Sequence, residues 1–93
     1  MRILLLEIDF YLPGCRSLKE KRQRLGRLSE LLGRSPRIAV AETGGQDHHC
    51  ESRFTVLVLA DDGGAADRQS SRIEALLGQL DALVVGIERR WLR

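Results

Sequence analysis

Aromatic residues are scarce in this chain: one Trp, one Tyr and two Phe among 93 residues, or 4%. Base stacking on aromatic platforms is therefore a minor resource, and the core must be built from Leu, Val and Ile. Cysteine occurs twice, at Cys15 and Cys50, too sparsely for a disulfide framework and without metal-type spacing. One disulfide is possible on paper, but two unrelated reduced thiols are expected. No apolar run approaches the roughly 20 residues that span a bilayer. The opening Met1-Arg2-Ile3-Leu4-Leu5-Leu6 is interrupted by Glu7 and Asp9, and no small-residue cleavage site follows. These absences point to a cytoplasmic protein with no membrane segment.

Catalytic arrangements are missing too. No Ser/His/Asp or Cys/His set has a recognisable spacing, and Gly63-Gly64 is too short for a phosphate-binding fingerprint. His48, His49 and Cys50 are the only hint of a metal. Neighbouring side chains on an extended segment point to opposite faces, and His48 with Cys50 and Asp47 still lacks a fourth ligand. No metal, no cofactor and no enzymatic activity are expected.

What is present is an ordinary globular balance, 43% hydrophobic and 30% charged, enough for one small domain over residues 1–93. Residues 2–12 alternate with period two: Leu4, Leu6, Ile8, Phe10 and Leu12 share one face, and Ile3, Leu5, Glu7, Asp9 and Tyr11 the other. Pro13-Gly14 ends this strand. Ser17-Leu18-Lys19-Glu20 is a capping-box pattern, opening a helix with Leu18, Leu25, Leu28, Leu31 and Leu32 on one stripe. Gly33 and Pro36 end it. Strands follow at 37–43 and 52–60, the latter apolar on both faces and so expected to be central. A second helix near 65–80 and a last strand over 82–92 complete the order βαββαβ.

Right-handed crossovers put both helices on one face of a four-stranded antiparallel sheet with strand order 4-1-3-2. The expected fold is thus α+β, a ferredoxin-like sandwich. Its uncovered sheet face would carry Ile3, Leu5, Leu83, Val85, Ile87 and Trp91, an apolar patch suited to a homodimer interface. Glu7 and Asp9 share that face; paired carboxylates in a cleft could act as acid and base, but ion pairs across the open sheet, for instance with Arg89 on the last strand, or a polar part of a subunit contact are expected.

Charge is unevenly distributed. Residues 16–37 hold eight cations against Glu20 and Glu30, a net +6 in a chain whose total is only +2. Arg16, Lys19, Lys21, Arg22, Arg24 and Arg27 crowd the start of the first helix. Cations there oppose the helix dipole, so Lys19 and Lys21 do not serve to support the helix. A solvated face that aids solubility is the plain explanation, but six cations in twelve residues exceed that need. The other explanation is a grip on phosphates, with salt-dependent binding and little sequence preference.

Leu12-Pro13-Gly14, Ser17-Leu18-Lys19-Glu20-Lys21-Arg22, Ala41-Glu42 and Gly44-x-Gln46-Asp47 together resemble the YlxP-like family of small uncharacterised bacterial proteins. The resemblance covers essentially the whole chain, and its specific part is the Leu-Pro-Gly…Ser-Leu-Lys-Glu-Lys-Arg block. It implies a ferredoxin-like fold. Genes of that family often lie near those for translation initiation and ribosome assembly, which implies a ribosome-related role. After Gln46-Asp47 relatives commonly have an aromatic and then a polar-basic stretch, where this chain has His48-His49-Cys50-Glu51. The expected function is a non-enzymatic accessory protein that binds RNA or the ribosome. The alternative is an oligomeric scaffold, or a small-ligand-binding regulatory domain working through the open sheet face.

Overall fold

The alternation of the opening segment becomes β1 (Arg2–Tyr11) in the computed structural model, which describes residues 1–92. Five further elements follow: α1 (Leu18–Leu32), β2 (Ile38–Gly44), β3 (Glu51–Ala60), α2 (Gly63–Leu77) and β4 (Leu83–Leu92). The sheet is antiparallel throughout, in the order β2-β3-β1-β4, which read from the other edge is the expected 4-1-3-2. β3 and β1 are central, as their apolar content requires.

The core lies between the sheet and the two helices. Leu4, Leu6, Ile8 and Phe10 of β1, and Phe54, Val56 and Val58 of β3, are buried against Leu25, Leu28 and Leu32 of α1 and Ala66, Ile73 and Leu77 of α2. Phe10 and Phe54 meet edge to face, with ring centroids 5.8 Å apart. Both helices therefore cover the same sheet face.

The helix starts are local constructions. Ser17 has an extended backbone, and its hydroxyl accepts from the Glu20 amide at 3.1 Å. The Glu20 carboxylate accepts from the Arg16 amide at 3.0 Å, closing the capping box one residue before the cap. Asp62 does the same for α2, accepting from the Ala65 amide at 2.8 Å. That cap starts α2 two residues earlier than the expected 65.

The last strand departs from its expected pattern. β1 and β4 pair in register from Ile3↔Leu92 to Asp9↔Gly86, and then the register shifts so that Phe10 faces Val84. The extra residue of this bulge interrupts the alternation. Ile87 and Trp91, opposite Ile8 and Leu4, consequently lie on the helix side of the sheet, and not on the open face with Ile3 and Leu5. Leu83, opposite Tyr11, keeps its expected place on the open face, and Val85 borders an open-face depression with Asp9, Tyr11 and Arg53. Arg89 also turns to the helix side, where it pairs with Asp67 of α2.

Candidate nucleic-acid interface

The six cations at the start of α1 divide into two groups with different roles. Lys21 is the clearest departure from expectation, being only 4% exposed. It stands three residues after Leu18, four before Leu25 and seven before Leu28, so helical periodicity puts it on the buried stripe. Its ammonium donates to the carbonyls of Gly45 (2.7 Å), His48 (2.7 Å) and Glu51 (2.9 Å). The Glu42 carboxylate stands 2.8 Å away and also accepts from the buried Ser52 hydroxyl. A buried ammonium is tolerable only when its charge and its donors are matched, and here they are. Lys21 does support the fold, by holding the β2–β3 loop, and it cannot reach a phosphate.

That loop is shaped for this contact. Gly45 has φ of 70°, a left-handed conformation that suits glycine, and a Cβ there would meet the Glu51 carbonyl oxygen at 3.0 Å. His48 and His49 are exposed, and it is the His48 carbonyl, not its imidazole, that is engaged. Among the described residues no three His, Cys, Asp or Glu side chains gather as metal ligands.

Arg24 is also committed to the fold. Its guanidinium donates to the Pro13 carbonyl at 2.8 Å and lies 3.5 Å from Glu20 and 3.4 Å from Asp81. It joins α1 to the turn before it and to the segment between α2 and β4. Gly14, with φ of 69°, makes that turn. The Leu-Pro-Gly…Ser-Leu-Lys-Glu-Lys-Arg block is therefore largely a folding device: a left-handed turn, a capping box and a buried clamp.

Arg16, Lys19, Arg22 and Arg27 remain exposed, and none forms an ion pair among the described residues. Lys19, Arg22 and Arg27 project from α1 away from its buried stripe. Arg68 and Arg72 of α2 are likewise exposed and unpaired among the described residues. The solvent side of the helix layer thus presents cations from both helices. Arg68 and Arg72 were not singled out in the sequence, because they are interspersed with Asp67 and Glu74. The signal was their spacing from the apolar Ala66, Ile73 and Leu77.

The two thiols are neighbours. Cys50 donates through Sγ to the Cys15 carbonyl at 3.2 Å, and the Leu12 amide donates to the Cys50 carbonyl at 2.8 Å. Both are free, and the expectation that they are unrelated does not hold spatially. Burial, reinforced by the nearby Glu20 carboxylate, pushes the Cys15 thiol up. Its contact with Cys15 and the Arg16 amide holds Glu20 below the usual carboxylate range.

On the open face the carboxylates of Glu7 and Asp9 find Arg53 of β3, not Arg89. Arg53 donates from Nε to Asp9 at 2.7 Å and from Nη2 at 3.1 Å, and its Nη1 lies 3.4 Å from Glu7. Arg90 reaches Glu7 at 3.7 Å. The Arg53 guanidinium holds the Asp9 carboxyl below its ordinary value. Both carboxylates are engaged in ion pairs.

A family model described as "Protein of unknown function (DUF503)" matches residues 3–89. The chain belongs to this family. No curated protein matches the sequence. Among solved structures, this family member is similar to a de novo designed protein, Foldit4, at 17% identity and a TM-score of 0.59. That match covers 100% of this chain and 98% of the other. It is also similar to a variant of SnoaB, a cofactor-independent oxygenase from Streptomyces nogalater, at 13% identity and a TM-score of 0.58. That match covers 98% of this chain and 91% of the other. At such identities the likeness is one of fold. No helix is long and apolar enough to cross a membrane among the described residues.

Proposed function

We propose that the helix layer is a surface for polyanions and that its partner is RNA, which makes the domain a non-enzymatic accessory protein of the cytoplasmic ribosome. The observation that carries this reading is the set of exposed cations, unpaired among the described residues, at Arg16, Lys19, Arg22 and Arg27, with Arg68 and Arg72 on the neighbouring helix. Such a surface neutralises phosphates and releases counterions without reading bases. The resemblance to YlxP-like proteins, whose genes often neighbour those of translation, supports the choice of RNA and the ribosome.

The test is co-sedimentation with ribosomal subunits across a salt series, comparing the native chain with a Lys19→Glu, Arg22→Glu, Arg27→Glu variant. With four single-strand phosphate contacts, affinity should fall on the order of 50-fold from about 50 to about 200 mM salt. The variant should lose most of that binding. Equal binding by both proteins, or none at the lowest salt, refutes the assignment.

A second reading has its own observation. β4 leaves Leu83 55%, Val85 64% and Ile87 40% exposed, which is unusual for a strand in so small a sheet. Self-association through this strand and the adjoining open face would cover them; of the expected patch on β1, Ile3 is half-buried and Leu5 is already buried within the monomer.

A further inference from the structure

β4 is an edge strand, and its outer backbone groups have no partner among the described residues. Native proteins guard such edges with charged side chains, lysine above all, with inward-pointing charges, proline, bulges or a covering segment. β4 contains neither lysine nor proline, its bulge lies near Val84 at the start of the strand, and its charges, Glu88, Arg89 and Arg90, are of both signs and so can be matched across the edge. Neither helix covers its outer edge: α1 packs on β2, and α2 packs on β3 and touches β4 through the Asp67–Arg89 pair. The stretch from Gly86 to Leu92 is regular and extended, paired on its inner side with β1.

We propose that two copies of this chain join edge to edge through β4, antiparallel about a two-fold axis at Arg89, forming one continuous eight-stranded sheet. Self-pairing across a two-fold axis is isologous, so the residue at the centre decides every other pair. The regular seven-residue stretch 86–92 has Arg89 at its middle. In that register Glu88 stands opposite Arg90 of the second copy on the open face. Ile87 stands opposite Trp91 of the second copy on the helix side, because directly opposed residues share a face. Each of these pairs occurs twice.

The register is complementary where its neighbours are not. Centring on Glu88 would oppose two glutamates and set Ile87 against Arg89, and centring on Arg90 would set Trp91 against Arg89. Centring on Arg89 opposes two arginines, but each is already matched by Asp67 of its own α2. Ile87 and Trp91, 40% and 36% exposed, would gain apolar neighbours. Opposed apolar and opposite-charge pairs are the stabilising units of antiparallel sheets. The pairing is one particular form of self-association and stands only if the domain self-associates.

Sedimentation velocity on the native chain, Glu88→Arg and Arg90→Glu tests it. The native chain should dimerise, and each variant should associate about tenfold more weakly, since each sets like charges opposite one another twice. Mixing the two variants should restore association, because each charge then meets its opposite. Arg90→Glu also removes the contact with Glu7, so thermal melts accompany the measurement. Glu88 forms no ion pair among the described residues, and Glu88→Arg carries the test alone if the other variant unfolds. A native monomer at about 100 μM overturns both the pairing and self-association. A dimer unaffected by Glu88→Arg overturns the edge pairing alone and returns the contact to the open face. Weak variants that fail to rescue one another overturn the register.

Discussion

Residues 12–24 and residues 83–92 use their side chains in opposite ways. In the first segment, where charge is densest, polar groups are drawn into the fold: Lys21 into a cage of three carbonyls and a carboxylate, Arg24 onto the Pro13 carbonyl, Ser17 and Glu20 into a capping box. In the second, apolar side chains from both faces of β4 stay in contact with water. Segment composition is therefore a poor guide to which region makes the fold and which meets a partner. A long cation at a core position turns inward when oxygen acceptors surround it. An apolar side chain on an edge strand stays outside when no element packs over it, as for Leu83 and Val85 on the open face.

Replacing Lys21 should have the largest effect. Lys21→Ala takes a charged donor from three loop carbonyls and the cation from Glu42, which keeps its contact with Ser52, and should cost about 3–5 kcal/mol in urea denaturation. Lys19→Ala, two residues away, should cost no more than about 0.5 kcal/mol. Similar losses for the two variants would break the contrast between buried and exposed cations on α1.

Arg24→Ala should be intermediate, at about 1–2 kcal/mol, since it removes a hydrogen bond from a charged donor to the Pro13 carbonyl. A negligible change in the urea midpoint would show that this junction is held by its turn and cap alone.

Leu83→Ser and Val85→Ser should leave monomer stability within about 0.5 kcal/mol, because both side chains are mostly exposed. A loss comparable to Leu28→Ala, about 2–5 kcal/mol for a fully buried leucine, would mean that β4 is part of the core after all.

The smallest effect concerns acid. Glu20 and Asp9 both titrate below their ordinary values when folded, the first through Cys15 and the Arg16 amide and the second through Arg53. Groups with lowered folded values stabilise above the unfolded value, and that contribution is lost as pH falls through the folded one. Stability should therefore decline as the solution is acidified below the ordinary values of 4.5 for Glu20 and 3.8 for Asp9. Glu20→Gln should flatten the first part of the decline. An unchanged pH profile in that variant would remove Glu20 from the account.

Much of the candidate site was legible because it is local. The cap at Ser17 involves atoms three residues apart, and the exposure of Lys19 follows from helical period. Lys21 was also marked, by its spacing from Leu18 and Leu25, but charge argued for solvent and its acceptors lie 24 to 30 residues away. Arg53 escaped notice for the same reason: its partner Asp9 is 44 residues away and meets it only through the β1–β3 register.

The sequence by itself determined the order and type of the elements, the helix starts and the apolar faces of β1 and β3. Those follow from short-range hydrogen bonding and from periods of 2 and 3.6 residues. Only the tertiary structure decided that Lys21 is a clamp, that Cys15 and Cys50 are neighbours, and that Ile87 and Trp91 face the helix side. Each of these depends on where distant backbone comes to rest: the Gly45–Glu51 loop closing over α1, the start of β3 meeting the turn after β1, and a one-residue bulge in β4. A bulge shifts every later side chain to the other face, and the residues near it were consistent with either register until β1 and β4 were paired.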